Sequence, residues 1–484
     1  MADSIGRKTS LGMAVTLFSE VISFFLNTIS FVILSRMLSP DDFGLFAILM
    51  AVIAVIGLFK DFGLKQATIQ FNVNSQLQLS SLFWIQFLLG LLIYSFLVLL
   101  APYLVKFYAL EQFANASVIC ILGSVIILQC VSLQHHALLL KNLNFKAIAF
   151  IKIIASLFSF LAAVYIALNG HGYWALIVKF LINESLLTLG YWHCSNWFPS
   201  LRFDLYSISK HMKFGANLFA ANLIHSINQN LDKIIIGKAF SPDLVGYFTR
   251  AQAAYTIPTS SVNSSFQSVG LSILGKLKSA PKQYNDYYIN IIKALTFLTV
   301  PAVLFLAIFT QDLVLLLIGE KWLQSVPMIK ALLFWGLLEA SACAAPLVNI
   351  TRLNAIKLRN ISILKLLLLP FILLIFSNYG LYNLCLAISI FGVIFRVLAM
   401  WYSYKGSPIN LSSYFKCYFK PIAYSSIASV VSWLATDSML VINNYKTLLL
   451  ALIYLCIYSL TIFVFERNSI FEIKKLMLAH NISK

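Results

Sequence analysis

Polar side chains recur at helical spacing within stretches of this sequence that are otherwise apolar. Two triplets step by four and then by three residues, so each triplet lies on one face of a helix. They are Ser23, Asn27 and Ser30, and His225, Gln229 and Asp232. Hydroxyl, amide, imidazole and carboxylate groups on one helical face can line a hydrated binding site.

A third apolar stretch carries an equally polar set of side chains. Its members are Tyr247, Arg250, Gln252, Tyr255, Thr259, Ser261 and Ser265. Such groups are costly to bury in lipid unless they are paired or hydrated. The three helices therefore predict a water-filled cavity. Its predicted substrate-binding residues are Arg250, Lys233, His225, Gln229, Tyr247 and Asn27.

Ionised groups carry more weight in this prediction than the hydroxyl groups do. Ser and Thr commonly bridge neighbouring membrane helices, and we interpret most of them here in that way. The cost of an ionised group favours a functional interpretation of Arg250, Lys233, Asp232 and Glu20. Lys60 and Asp61 are interpreted as either a gate or a solvated turn. Arg396 and Lys152 are expected to extend to the headgroup region.

No catalytic or metal-binding motif is present in the sequence. It contains no G-x-x-x-x-G-K-[ST] segment, and its seven cysteines form no C-x-x-C pair. His135 and His136 have no carboxylate or cysteine beside them, so we predict an interfacial position rather than a metal site. The sequence therefore predicts a protein that is not an enzyme and binds no metal or cofactor.

Composition requires a membrane to surround these helices. Hydrophobic residues make up 60% of the 484 residues, charged residues only 11%, and the mean hydropathy is +0.86. A soluble globule could not cover its surface with so few polar residues. The formal charge of +18 fits basic cytoplasmic loops rather than nucleic-acid binding. We therefore predict an all-α, polytopic membrane protein.

About fourteen segments are long and apolar enough to span a bilayer. Their residues are 11–35, 43–62, 82–104, 116–138, 147–168, 173–192, 214–236, 244–273, 289–309, 326–350, 361–376, 382–402, 418–440 and 447–465. With a cytoplasmic N-terminus, 22 Lys and Arg residues lie on the cytoplasmic side, counting Lys60 and Lys420 at the cytoplasmic ends of their spans, and 5 lie on the opposite side. This asymmetry supports the count and places both termini in the cytoplasm.

A sequence repeat predicts two related lobes. Ser39-Pro40-Asp41 follows the first span, and Ser241-Pro242-Asp243 follows the seventh span, 202 residues later. Each Ser is expected to cap a helix that has Pro in its first turn. We predict two pseudo-symmetric six-helix lobes, residues 1–200 and 201–405. Residues 406–484 would add two helices and a cytoplasmic tail.

Three segments resemble signatures of bacterial polysaccharide flippases. The first runs from Arg36 to Gly44 and is followed by Asp61-Phe-Gly-Leu64. The second is Asn230-Leu-Asp-Lys-Ile-Ile-Ile-Gly237, and the third is Gly319-Glu-Lys-Trp322. The likeness extends from Ser10 to about Tyr402. It identifies the chain as similar to the multidrug/oligosaccharidyl-lipid/polysaccharide exporter superfamily.

The resemblance implies a transport function in the bacterial inner membrane. The implied substrate is an undecaprenyl-diphosphate-linked oligosaccharide repeat unit, moved from the cytoplasmic to the periplasmic leaflet for lipopolysaccharide or exopolysaccharide synthesis. Polysaccharide polymerase and assembly proteins are the implied protein partners. A cationic cavity fits Arg250 and Lys233. Because no ATP site is present, Glu20 and Asp232 are our hypothetical ion-coupling groups.

Other functions fit the sequence less well. A drug exporter of the same superfamily would need an acidic or aromatic cavity to attract organic cations. A membrane glycosyltransferase typically needs a large extracytoplasmic loop with carboxylates, whereas every such loop here is short. A non-transporting scaffold would not need the polar helices. The flippase is therefore favoured, with the exporter as the alternative.

Overall fold

The computed structural model describes residues 2–71, 75–112, 115–339, 341–437 and 443–466, and these contain helices and no strand. The helices of the first half are α1 (Ala2–Met37), α2 (Pro40–Ile56), α3 (Leu64–Gln70), α4 (Gln76–Phe107), α5 (Ala116–Gly123), α6 (Val125–Lys141), α7 (Phe145–Leu168), α8 (Trp174–Ser195) and α9 (Ser209–Ala239). Those of the second half are α10 (Pro242–Lys276), α11 (Pro281–Ile308), α12 (Thr310–Leu317), α13 (Val326–Glu339), α14 (Ala344–Thr351), α15 (Ala355–Ser377), α16 (Leu381–Tyr404), α17 (Leu411–Asp437) and α18 (Asn443–Phe465).

The all-α, multi-pass prediction is confirmed. Each predicted span falls mainly on described helix, with a break after Glu339 in the tenth and a described end at Asp437 in the thirteenth, and ten helical segments are long and apolar enough to cross a membrane. The other four predicted spans fall on α9, α10, α17 and α18. The total of fourteen crossings stays a prediction.

The start of α2 follows from its sequence. The Ser39 hydroxyl accepts a hydrogen bond from the backbone N–H of Asp42 (3.2 Å), and the Asp42 carboxylate accepts one from the backbone N–H of Ser39 (2.9 Å). This reciprocal capping satisfies two backbone donors that the helix leaves free. Pro40 occupies the first turn, as predicted, because that position needs no backbone N–H.

The two Ser-Pro-Asp motifs pack against each other. A Cβ atom on Gly44 would lie 1.6 Å from the Pro242 carbonyl oxygen, and one on Gly246 would lie 2.1 Å from the Pro40 carbonyl oxygen. The contact is reciprocal, since the glycine of each motif receives the proline carbonyl of the other. The predicted repeat therefore corresponds to a paired backbone contact that needs glycine on both sides.

The chain divides into two compact units, Met1–Gly246 and Tyr247–Lys484. In the first unit, α7 packs between α1 and α8, while α9 packs against α2 and α3. In the second unit, α11 packs against α17 and α13 against α16. The predicted lobe boundaries at 200 and 405 stay a prediction.

Helix α18 packs in the second unit through tyrosines that satisfy backbone carbonyls of α11. Pro301 has no N–H, so it cannot donate to the Phe297 carbonyl four residues earlier. The Tyr458 hydroxyl donates to that carbonyl (2.7 Å), and the Tyr454 hydroxyl donates to the Pro301 carbonyl (2.9 Å). The proline in α11 thus creates a binding position for a tyrosine of α18. The tail beyond Glu466 lies outside the described residues.

The glycine contact predicts a strong effect of a single methyl group. We expect Gly44→Ala and Gly246→Ala to lower the stability of the folded protein by about 3 kcal/mol or more, because the added atom meets backbone rather than a movable side chain. The measurement is thermal unfolding of the detergent-purified protein. Gly275→Ala is the matched control, because Gly275 lies in α10 with open space at its Cβ position. Equal melting temperatures for all three variants would contradict the contact.

Candidate functional site

Helix α1 places Glu20 and Asn27 on exposed positions. The Glu20 carboxylate pairs with the Lys152 ammonium of α7 at 2.9 Å, and the two side chains remain 58% and 39% exposed. Ser30 is buried and accepts a hydrogen bond from Lys179 of α8 (2.5 Å). Ser30 therefore joins helices, as expected for a hydroxyl group, whereas Lys152 binds Glu20 instead of only extending to the headgroups.

Helix α9 carries four of the other predicted residues. Gln229 is exposed, and Asp232 and Lys233 are half-buried. The Asp232 carboxylate accepts a hydrogen bond from the backbone N–H of Lys233 at 2.8 Å. The His225 side chain lies outside the part of the chain that the structure describes. These positions leave Gln229 accessible, while Asp232 and Lys233 are each partly covered.

The structure brings Tyr247 and Arg250 together around one tryptophan of the second unit. The Arg250 guanidinium lies 5.4 Å from the ring centre of Trp322, and the Tyr247 ring meets Trp322 edge-on at 6.1 Å. Trp322 is fully buried. A cation over an indole face is attracted by the ring's negative face. Arg250 of α10 therefore meets the third signature segment in a cation–π contact.

The first unit contains a polar cluster whose residues are not among the predicted site residues. Lys60 donates a hydrogen bond to the Gln129 side chain of α6. The Glu184 carboxylate of α8 hydrogen-bonds Gln129 and interacts electrostatically with Lys60. Lys60 is thus neither a solvated turn residue nor isolated. The only sequence signal for this cluster was three polar residues in apolar segments that are distant in the chain.

Asp61 and Lys65 extend this polar region along α3. The Asp61 carboxylate accepts from the Lys65 backbone N–H (2.9 Å), and the Lys65 ammonium lies 3.0 Å from Nδ1 of His136. Burial lowers the pKa of Lys65, the Asp61 charge opposes that shift, and Lys152 and Lys60 add to it. Several cations therefore share a restricted, partly desolvated space.

Neighbouring helices cover His135 and His136, and their predicted interfacial position in the membrane stays a prediction. His135 has no exposed surface, its Nδ1 lies 2.8 Å from the Ser195 hydroxyl oxygen, and its ring packs 4.2 Å from Trp192. His136 stacks on Tyr191 at 4.5 Å. Aromatic rings of α8 cover both imidazoles because α6 and α8 pack side by side. Among the described residues, no group of three or more His, Cys, Asp or Glu could hold a metal ion.

Two curated proteins show similarity over most of the chain. The lipopolysaccharide biosynthesis protein WzxC of Escherichia coli (strain K12) is 26% identical over 343 residues, which cover 70% of this chain and 68% of that protein. The teichuronic acid biosynthesis protein TuaB of Bacillus subtilis (strain 168) is 23% identical over 434 residues, or 89% of each chain.

The fold is similar to that of the lipid II flippase MurJ and of a multidrug resistance MATE family transporter. The inward closed conformation of the lipid II flippase MurJ superposes with a TM-score of 0.75 and 17% identity, over 95% of this chain and 99% of that one. A family model described as "Polysaccharide biosynthesis protein" matches residues 33–327. That range includes the three signature segments, α9 and the Arg250–Trp322 contact. The chain therefore belongs to the polysaccharide biosynthesis protein family of membrane proteins.

Proposed function

We propose that this protein moves an undecaprenyl-diphosphate-linked oligosaccharide repeat unit from the cytoplasmic to the periplasmic leaflet of a bacterial inner membrane. The family match over residues 33–327 carries the proposal. Similarity to WzxC and TuaB and a fold shared with a lipid flippase support it. The protein would act by alternating access, with both termini in the cytoplasm and with polymerase and assembly proteins as partners.

Polar and cationic helices are needed because the proposed substrate carries charged and polar groups across hydrocarbon. A diphosphate and its glycan lose their hydration on entering hydrocarbon, and the resulting cost prevents spontaneous crossing. Fixed cations and hydrogen-bonding groups replace that water, while the polyprenyl tail stays in lipid. Arg250 and Lys233 would bind the diphosphate, and Gln229, Asn27, His225 and Tyr247 the glycan. Exposed Gln229 and Asn27 are suitably placed for sugar hydroxyls.

A drug exporter of the same superfamily is the alternative function. Organic cations would be repelled by Arg250, Lys233 and the lysines beside His136. The positive groups therefore favour an anionic substrate.

The proposed function predicts a specific lipid intermediate. In a strain that lacks this protein, undecaprenyl diphosphate carrying a complete repeat unit should accumulate, and the surface polymer should be lost. Mass spectrometry of a lipid extract measures the first effect, and restoring the intact chain is the control. An unchanged lipid pool with raised sensitivity to cationic drugs would support the exporter instead.

Arg250 is predicted to contribute charge that glutamine cannot supply. We expect Arg250→Gln to lower transport about tenfold, because a hydrogen bond to a charged group contributes about 1.5–3 kcal/mol. Transport is read as the lipid-linked pool relative to protein level in the complemented deletion strain. Arg359→Gln is the matched control, since Arg359 is exposed. Wild-type transport by Arg250→Gln would remove Arg250 from the substrate site.

Glu20 and Asp232 are proposed to couple transport to protons or sodium. We expect Glu20→Gln and Asp232→Asn to alter the dependence of transport on pH or sodium, because each removes a carboxylate that could bind the coupling ion. Transport across a range of pH and sodium concentration checks this, with the exposed Glu111→Gln as control. The Glu20–Lys152 pair is largely exposed, so its loss should cost little stability. Unchanged profiles for both variants would reject the assignment.

A further inference from the structure

The predicted tenth span is interrupted inside the second unit. Helix α13 ends at Glu339, and α14 begins at Ala344. An interrupted helix leaves backbone N–H and C=O groups without their usual partners. In the hydrocarbon region no water is present to bind them, so such a break persists only where the protein or a water-filled cavity supplies the partners. The residues that supply those partners therefore indicate the role of the interruption.

One asparagine of α10 binds both ends of the interruption. Its side-chain amide donates to the Glu339 carbonyl (3.1 Å), and its side-chain carbonyl accepts from the Cys343 backbone N–H (3.1 Å). This residue, Asn263, is 7% exposed. A single amide group therefore replaces hydrogen bonds that a continuous helix would form by itself.

An arginine of α16 binds the same segment through a charge. Arg396 donates to the Glu339 carboxylate (2.5 Å) and to the Ala342 carbonyl (3.2 Å), and its guanidinium lies 5.0 Å from the ring centre of Trp335. The side chains of Arg396 and Glu339 are 16% and 25% exposed. Arg396 was expected to extend to the headgroups, and this pairing corrects that expectation.

Helix α17 supplies a third set of partners. The Ser341 hydroxyl lies in the interruption and hydrogen-bonds the hydroxyls of Tyr414 and Tyr418, the second at 2.5 Å. The two tyrosines are themselves joined at 2.9 Å, and both are buried. Three different helices therefore bind four positions of the tenth span, namely 339, 341, 342 and 343.

The first repeat contains a comparable cluster on the corresponding helices. Lys60, Gln129 and Glu184 belong to the second, fourth and sixth spans, just as Asn263, Glu339 and Arg396 belong to the eighth, tenth and twelfth. Lys60 also ends a 3₁₀ turn, Gly57–Lys60, that interrupts the second span after α2. Each half thus joins the corresponding three helices through one acidic and one basic side chain, beside an interruption of the second span in the first half and of the tenth span in the second half.

We propose that Glu339, Arg396 and Asn263 are positioning residues for transport, which hold the interruption at 339–343 in the geometry that transport requires. Lys60, Gln129 and Glu184 are their counterparts in the first half. A largely buried ion pair adds little net stability compared with apolar packing, whereas it does specify one backbone arrangement. The inference rests on the proposed function, because it assigns these residues to the same transport step.

The central variant removes both charges together. Glu339→Gln with Arg396→Gln leaves no uncompensated charge, so we expect a melting temperature near that of the wild type but transport lowered about tenfold. Each single substitution should lower the melting temperature. Arg396→Lys should transport partially, because an ammonium cannot bind the carboxylate and the Ala342 carbonyl in the planar geometry of a guanidinium.

The matched control neutralises a different ion pair of the second unit. Lys420→Gln with Glu466→Gln removes the pair between α17 and the residue after α18. This control should retain transport. The lipid-linked repeat-unit pool in the complemented deletion strain, divided by the amount of protein, is the measure of transport.

The labelling rate of the Cys343 thiol measures how tightly the interruption is held, and this measurement needs no substrate. It is 3% exposed, and its backbone N–H is held by Asn263. We expect N-ethylmaleimide to label Cys343 about tenfold faster in the doubly neutral variant than in the wild type, because local opening exposes the thiol. Buried Cys385 of α16 should stay protected in both proteins.

The two measurements separate failure of this inference from failure of the proposed function. Wild-type transport by the doubly neutral variant, or Cys343 labelling as slow as in the wild type, would overturn the positioning role. A deletion strain whose lipid-linked pool does not change would overturn the proposed function. In that case the Cys343 labelling still decides whether the ion pair holds the interruption.

Discussion

Hydrocarbon provides no hydrogen bonds, and this constraint explains most of the contacts described above. A backbone or side-chain group that lacks a partner within its own helix must find one on a neighbouring helix. Pro301 leaves a carbonyl of α11 free, and Tyr458 of α18 binds it. The break after Glu339 separates the Glu339 carbonyl from the Cys343 N–H, and Asn263 of α10 binds both. Helix packing here is therefore directed by local defects in helices as well as by apolar surface.

The lack of hydrogen-bonding partners in hydrocarbon also explains how the ionised groups are arranged. Glu20 with Lys152, Glu339 with Arg396, and Lys60 with Gln129 and Glu184 each place a charge beside a group that stabilises it. Such pairs differ in exposure, and exposure separates their roles. The Glu20–Lys152 pair is largely exposed, whereas the Glu339–Arg396 pair is covered and Arg396 also binds the Ala342 backbone carbonyl.

The Ser-Pro-Asp repeat in the sequence corresponds to a close backbone contact in the structure. Ser-Pro-Asp starts a helix in both halves, and Gly44 and Gly246 follow at the same distance from each motif. A side chain at either glycine would occupy the space of the opposite proline carbonyl. The two motifs thus have matching roles in one close contact, which accounts for a repeat that is short in sequence yet regular in position.

Much of the fold followed from the sequence alone. Length and apolarity located the helices, since a spanning helix needs only about 20 apolar residues in a row. Ser39 and Pro40 identified the start of α2, because capping depends on neighbours within four residues. Helical spacing also predicted that Ser30 and Asn27 share a face. These are local properties, and local sequence is sufficient to determine them.

Side-chain partners between helices were decided by the tertiary structure. Arg250 could be recognised as a costly cation, but not its contact with Trp322, which is 72 residues away in the chain. His135 became a buried residue because α8 supplied Trp192, and Arg396 reached Glu339 because α13 and α16 pack together. Helical periodicity specifies which residues share a face, whereas helix packing alone determines which face of another helix they meet.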